Sequence, residues 1–128
     1  MIGSTGDPDV TAMTVQALAP YCGYYSDVTA AVESALSMLS ARQLDSGGFQ
    51  SMGVENCESS AQVLTALSSL GVDPDTDSRF IKNGNSVLAA LLSYRNADGS
   101  FAHTGTGYSE SATVQAFYSM RAYLRMCY

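Results

Sequence analysis

The sequence contains an internal repeat of about fifty residues, and this repeat constrains the fold more than any other feature. The segments Val15–Leu18, Leu64–Leu67 and Val114–Phe117 read VQAL, LTAL and VQAF, and their first residues are 49 and then 50 positions apart. Repeats of this length usually stack one supersecondary unit on the next around a continuous core. We therefore expect a repeat protein whose copies share one architecture.

Hydrophobic spacing within the copies predicts helices. Ser26 or Asp27 is expected to cap the second helix, because such side chains accept hydrogen bonds from unpaired backbone N–H groups. No segment shows convincing strand periodicity. The five predicted helices cover residues 8–19 and 27–42, a segment from near 58 to Gly71, a segment that begins near 86, and residues 109–126.

The predicted helices fall into two kinds. Those that begin near residues 9, 58 and 109 are rich in Ala, Ser, Thr and Gln, as expected of helices that are packed on most sides. Those that begin near 27 and 86 carry a single apolar stripe. An inner layer of small-residue helices covered by an outer layer of amphipathic ones accounts for this alternation. It predicts a curved, all-α array of helical hairpins.

Composition limits the size of the domain and the range of partners. The chain has 128 residues, of which 46% are hydrophobic, so we expect one domain over residues 7–128. Residues 1–6 are interpreted as a linker or an artificial start, which suggests a piece of a larger protein. A net charge of -6 argues against nucleic acid and anionic lipid as partners. The longest apolar runs, such as Val87–Leu92, are far too short for membrane insertion.

Three cysteines, Cys22, Cys57 and Cys127, lie far apart and form no C-x-x-C pair. An odd number at this spacing gives neither a disulfide framework nor a zinc-ribbon signature. We expect buried free thiols that pack as small hydrophobic side chains.

The turn between the first two copies carries a recognisable pattern. Gln43–Phe49 reads Gln, three residues, Gly, one residue, then an aromatic, and this resembles the repeat of squalene cyclases and protein prenyltransferases. The corresponding segment Tyr94–Phe101 has Tyr in place of Gln and one extra residue. Together with Glu58–Leu64 and Ala112–Tyr118, these segments look most like the prenyltransferase-like repeat modules of surface and secreted proteins in Gram-positive bacteria.

This resemblance, which covers residues 7–127, implies an arc of an α/α toroid. It implies about two and a half of the six hairpins of a complete ring, with the inner-helix ends facing a central funnel. It also implies an extracellular or cell-surface location. The same architecture occurs in vertebrate cobalamin carriers and in complement thioester domains, which do no isoprenoid chemistry, so the fold leaves the function open.

Three functions are compatible with the resemblance. The first, which we favour, is a non-enzymatic ligand- or protein-binding module without a cofactor. The second is an isoprenoid-handling enzyme or a fragment of one, and the third is a structural spacer. The sequence has no Asp-x-Asp-Asp acid motif of the kind used in triterpene cyclisation.

Two weaker candidates for metal sites are present. The alternating carboxylates of Asp73, Asp75 and Asp77 resemble the start of a calcium loop, although the Gly and the closing Glu of such a loop are missing. A solvated turn is the simpler interpretation. Glu55, Cys57 and His103 resemble the zinc ligands of prenyltransferases, but Glu replaces Asp and the histidine lies in a glycine-rich turn.

Carboxylates recur at the predicted starts of the inner helices, where a negative charge interacts favourably with the helix dipole. We predict that these helix starts form a polar, acidic rim that binds a cationic or hydroxyl-rich ligand. The residues assigned to this rim are Asp9, Gln16, Glu58, Gln62, Tyr108, Glu110 and Gln115.

A ring cut after five helices would leave inner-helix surface uncovered at both ends. We expect apolar patches there, and these predict self-association or packing against neighbouring repeats or domains of a parent chain. The residues expected in the patches are Val10, Met13, Phe117 and Met120.

Overall fold

The computed structural model describes residues 7–128, and this part of the chain is mainly helical. The prediction of a helical protein is therefore confirmed, and each predicted helix is present within a few residues of its expected position. The helices are α1 (Pro8–Leu18), α2 (Ser26–Arg42), α3 (Cys57–Ser69), α4 (Val87–Leu92) and α5 (Glu110–Cys127).

The expectation that the chain has no strands is wrong, because two short antiparallel hairpins precede α3 and α4. Their turns are Met52-Gly53 and Asn83-Gly84, and all four residues have positive φ, as type I′ hairpin turns require. Strands of two residues are too short to show an alternation of apolar and polar side chains, so only the Asn83-Gly84 pair indicates a hairpin in the sequence. The strands are β1 (Gln50–Ser51), β2 (Val54–Glu55), β3 (Ile81–Lys82) and β4 (Asn85–Ser86).

Side-chain caps fix most of the helix starts. The carboxylate of Asp7 accepts from the backbone N–H of Asp9, and Asn56, Ser86 and Ser109 cap α3, α4 and α5 in the same manner. The predicted cap of α2 is wrong. Tyr25 occupies the cap position without a side-chain bond, and Ser26 is already helical.

The contacts between helices centre on α3. It packs between α1 and α5, while α2 packs against α1 and α4 packs against α3. Because α3 has neighbours on three sides, ten of its thirteen residues are buried. In α5 only Ala112, Ala116 and Ser119 are buried, so this helix is not enclosed on most sides as we expected.

The Gln43–Phe49 pattern has a direct structural role. The buried Gln43 amide donates from Nε2 to the carbonyl of Gly47 at 2.9 Å and to the carbonyl of Phe80 at 2.7 Å. Phe49, Phe80 and Phe101 are all completely buried in the core. The pattern therefore ties the end of α2 to the core and to the segment before β3.

Gly47 allows two backbone segments to touch. It has a φ of +86°, and a Cβ at this position would lie 2.4 Å from the carbonyl oxygen of Ser86. Any side chain would therefore push the turn after α2 away from β4.

The cysteines differ in exposure, and only one fits the expected buried thiol. All three are free, but Cys57 is buried, Cys22 is partly exposed and Cys127 is exposed. No helix within residues 7–128 is long and apolar enough to cross a membrane.

Apolar side chains are exposed on α1 and α5, the two helices that flank α3, as we predicted. Val10 and Met13 on α1 are 60% and 51% exposed, and Phe117 on α5 is 53% exposed. Met120 differs, because it is partly buried against the core. Self-association through these surfaces stays a prediction.

Candidate functional site

The strongest candidate site is an acidic cleft of about 430 Å³ at the N-terminal ends of α1 and α3. Asp9, Glu58 and Gln115, which were predicted to share a rim, all line it. The β1–β2 hairpin forms another wall, and the loop before α5 brings His103 to its edge. The helix starts therefore meet as predicted, and the hairpin supplies a wall that the sequence reasoning missed.

Glu58 and His103 form a close pair in this cleft. The Oε1 atom of Glu58 lies 2.8 Å from Nδ1 of His103, and the Glu58 side chain is 16% exposed whereas that of His103 is 54% exposed. The loop is held in place because the backbone N–H of Cys57 donates to the carbonyl of His103 at 2.9 Å. The N–H of Ser109 donates to the carbonyl of Phe101, which closes the loop at its base.

Asp9 places a second carboxylate in the cleft. Burial raises its pKa, and the negative charges of Asp7 and Glu58 act in the same direction, while a hydrogen bond with Ser59 opposes them. Its Oδ1 atom is buried and has no hydrogen-bond partner. A buried, unpaired carboxylate oxygen is costly, so Asp9 would gain from a cationic or hydrogen-donating guest.

Three glutamines connect the helices beside the cleft. Gln16 on α1 donates from Nε2 to Oε1 of Gln62 at 2.9 Å and to the backbone carbonyl of Gln62 at 3.1 Å. Gln62 in turn donates from Nε2 to Oε1 of Gln115 on α5 at 3.0 Å. This glutamine ladder, formed by Gln16, Gln62 and Gln115, links the three helices. Gln16 and Gln115 occupy the same position of the repeat, whereas the middle copy has Thr65 there and contributes Gln62 from three residues earlier.

Four residues of the predicted rim lie outside the cleft lining, and two of them, Gln16 and Gln62, belong to the ladder beside it. Tyr108 is 69% exposed in the loop before α5. Glu110 is exposed in the first turn of α5, where its charge favours the positive end of the helix dipole. Position at a helix start was therefore a sufficient signal for α1 and α3 but not for α5.

The residues proposed as zinc ligands make other contacts. The Cys57 thiol is buried, and burial together with the charge of Glu58 raises its pKa to about 12, which opposes the thiolate that zinc requires. Glu55 accepts a hydrogen bond from Ser46. Within residues 7–128, no group of three or more His, Cys, Asp or Glu side chains is arranged to hold a metal ion.

The acidic turn after α3 is held together by its own hydrogen bonds. Asp73 accepts from the N–H of Asp75, and Asp75 accepts from the hydroxyl of Ser86. Asp77 binds Arg79, and the hydrogen bond from Arg79 lowers the pKa of Asp77. The proposed calcium ligands therefore each have a structural partner in the turn.

Comparison of the chain with protein-family models, with curated proteins and with solved structures finds no match. The functional argument therefore depends on the geometry and chemistry of the site.

Proposed function

We propose that the chain is a non-enzymatic binding module whose ligand presents a cationic ammonium group to the acidic cleft. The observation that carries this proposal is the convergence of two carboxylates, Asp9 and Glu58, in one cleft. The unpaired Oδ1 of Asp9 adds a buried acceptor that lacks a donor. A cation placed beside these groups would offset the desolvation that raises the pKa of Asp9.

A binding role agrees with the chemistry of the cleft. The thiol nearest to Glu58 is that of Cys57, and a thiol with a pKa of about 12 stays protonated at neutral pH and is a weak nucleophile. The Glu58–His103 pair has a simpler role in orienting a ligand group and in closing one side of the cleft.

We also propose that the two helix layers are an arc of an α/α toroid within a larger extracellular protein. The packing of α3 between α1 and α5, with α2 and α4 on the outside, supports the arc. Partners of the module would then be its ligand and the neighbouring repeats of the parent chain.

Titration with ethanolamine, whose protonated amine carries three N–H donors at neutral pH, tests the proposed ligand class when it is followed by amide chemical shifts. We expect saturable shifts confined to residues near 7–10, 56–60 and 103. In Asp9→Asn and in Glu58→Gln the apparent affinity should fall by about threefold to tenfold, since each tenfold step corresponds to about 1.4 kcal/mol.

Glu110→Gln is the matched control, because it removes a carboxylate from an inner-helix start that does not line the cleft. An equal loss of affinity in this variant, or the absence of saturable shifts in the wild type, would refute the proposal. A response to maltose but not to ethanolamine would replace the cationic ligand by a hydroxyl-rich one.

A further inference from the structure

The acidic cleft is the first of three clefts that follow one another along α3 and α5. A second cleft of about 250 Å³ shares Gln115 with the acidic one. A third cleft of about 360 Å³ shares Thr65 and Tyr118 with the second. We call this row of clefts, which leads toward the C-terminal ends of both helices, the groove.

The far end of this groove has the opposite charge. Arg121 and Arg125 line it from α5, and their spacing of four residues places them on the same face of the helix. Both are exposed, and neither forms an ion pair with any residue in 7–128. Thr65, Ser68 and Ser69 line the opposite wall from α3.

Ser68 provides an independent indication of a ligand. The residue is only 7% exposed, and its hydroxyl has no hydrogen-bond partner although it lines the groove. Serine and threonine in a helix commonly bond to the carbonyl one turn earlier, and the neighbouring Thr65 and Ser69 do so. Ser68 is the exception, and its buried hydroxyl is an unused donor that a rotation of the side chain would present to a guest.

We propose that this end of the groove, which we call the basic end, binds an oxyanion such as a carboxylate or a phosphoryl group. Arginine presents planar, paired donors that match the oxygens of such anions, and the Ser68 hydroxyl supplies a further donor. The carboxyl ends of helices carry a negative partial charge, so here the arginines must supply the attraction. The proposal uses residues that the acidic cleft does not contain and can fail without affecting it.

Amide and arginine Nε chemical shifts of the whole chain, recorded at low ionic strength, test the proposal with inorganic phosphate and with acetate as separate probes. We expect saturable shifts at residues 65–69 and 118–126 for at least one probe. The probe that binds identifies the anion class. The Arg121→Gln/Arg125→Gln double variant should weaken this binding at least tenfold, and Ser68→Ala should weaken it about threefold.

Arg95→Gln is the control, because it removes an exposed arginine outside the groove. Equal weakening in the control would indicate general charge attraction and overturn the proposal, as would the absence of saturable shifts with both probes. The arginines could alternatively serve only to stabilise the last turn of α5. In that case the double variant would melt at a lower temperature while phosphate and acetate shifts were never observed in the wild type, and this result also overturns the proposal.

Discussion

The two ends of the groove differ in how their charged side chains are held. At the acidic end, Glu58 is paired with His103, and the first turn of α1 that carries Asp9 is fixed by the Asp7 cap. At the basic end, Arg121 and Arg125 are exposed and have no ion pair in the described part of the chain. One end is therefore held by contacts within the protein, whereas the arginines of the other end have no ion-pair partner and, in our proposal, gain one when an anion binds.

The residues next to the two ends also differ in how deeply they are buried. The acidic end rests on the completely buried Phe49 and Phe101, whereas the basic end lies on the half-exposed C-terminal part of α5. A preorganised site loses less side-chain entropy on binding, so it gains affinity and specificity from the same number of contacts. The comparison suggests that the acidic end selects the ligand and the basic end adapts to it.

The largest expected effect on stability comes from removing a buried aromatic ring. Phe49→Ala removes a fully buried ring, and we expect it to lower the free energy of unfolding by about 3–5 kcal/mol. Phe117→Ala removes a ring that is 53% exposed and meets Phe101 edge to face at 6.0 Å, and it should cost about 1 kcal/mol. Urea denaturation measures both values. Similar losses in the two variants would contradict the difference in burial between Phe49 and Phe117.

A smaller effect is expected where the two ends are joined. Gln62→Ala removes both side-chain links of the glutamine ladder, and the two lost hydrogen bonds should cost about 1–2 kcal/mol. Gln115→Ala removes only the α3–α5 link, which is one hydrogen bond, and should cost less. Thermal melting compares the variants. If Gln115→Ala were the more harmful change, Gln62 would not be the centre of the ladder.

The next effect depends on pH and should be below about 1 kcal/mol, because Asp9 is partly exposed to solvent. The folded-state pKa of Asp9 is raised above 3.8, so its contribution to stability is full below pH 3.8 and is lost as pH rises through the raised value. Asp9→Asn should therefore raise the melting temperature at pH 7 and lose this advantage below pH 3.8. Higher stability of the wild type than of Asp9→Asn at pH 7 would contradict the expected destabilisation by the ionised Asp9 carboxylate.

The last prediction is that zinc leaves the stability of the protein unchanged. Because the Cys57 thiol is buried with a pKa of about 12 and His103 already binds Glu58, added zinc should not change the melting temperature. Elemental analysis after dialysis should find no stoichiometric zinc. Stoichiometric zinc that disappears in Cys57→Ser and in His103→Ala would instead make the acidic end a metal site.

The sequence predicted the features that depend on periodicity. The repeat placed Val15, Leu64 and Val114 at equivalent positions, and the same spacing aligns Gln16 and Gln115 with Thr65, three residues after the Gln62 that they contact. Helix number and approximate helix bounds followed from the hydrophobic pattern. These are local or repeated signals, and they do not require knowledge of distant contacts.

Features that depend on loops and on single contacts could not be predicted. His103 reaches Glu58 only because its loop is tied to the first turn of α3, and no spacing in the sequence encodes that contact. The four-residue spacing of Arg121 and Arg125 is visible in the sequence, but the net charge of -6 gives no indication of a local basic surface. A total charge describes long-range attraction and not how individual charges are distributed.

The contact at Gly47 has a consequence for engineering this fold. Since the backbone at Gly47 touches the carbonyl of Ser86 without room for a Cβ, the turn after α2 and the hairpin before α4 must be exchanged together. A chimera that joins one of these segments to an unrelated partner would force a gap or a collision at this contact. Module boundaries for recombination should therefore lie outside residues 47–86, so that one fragment carries both sides of the contact.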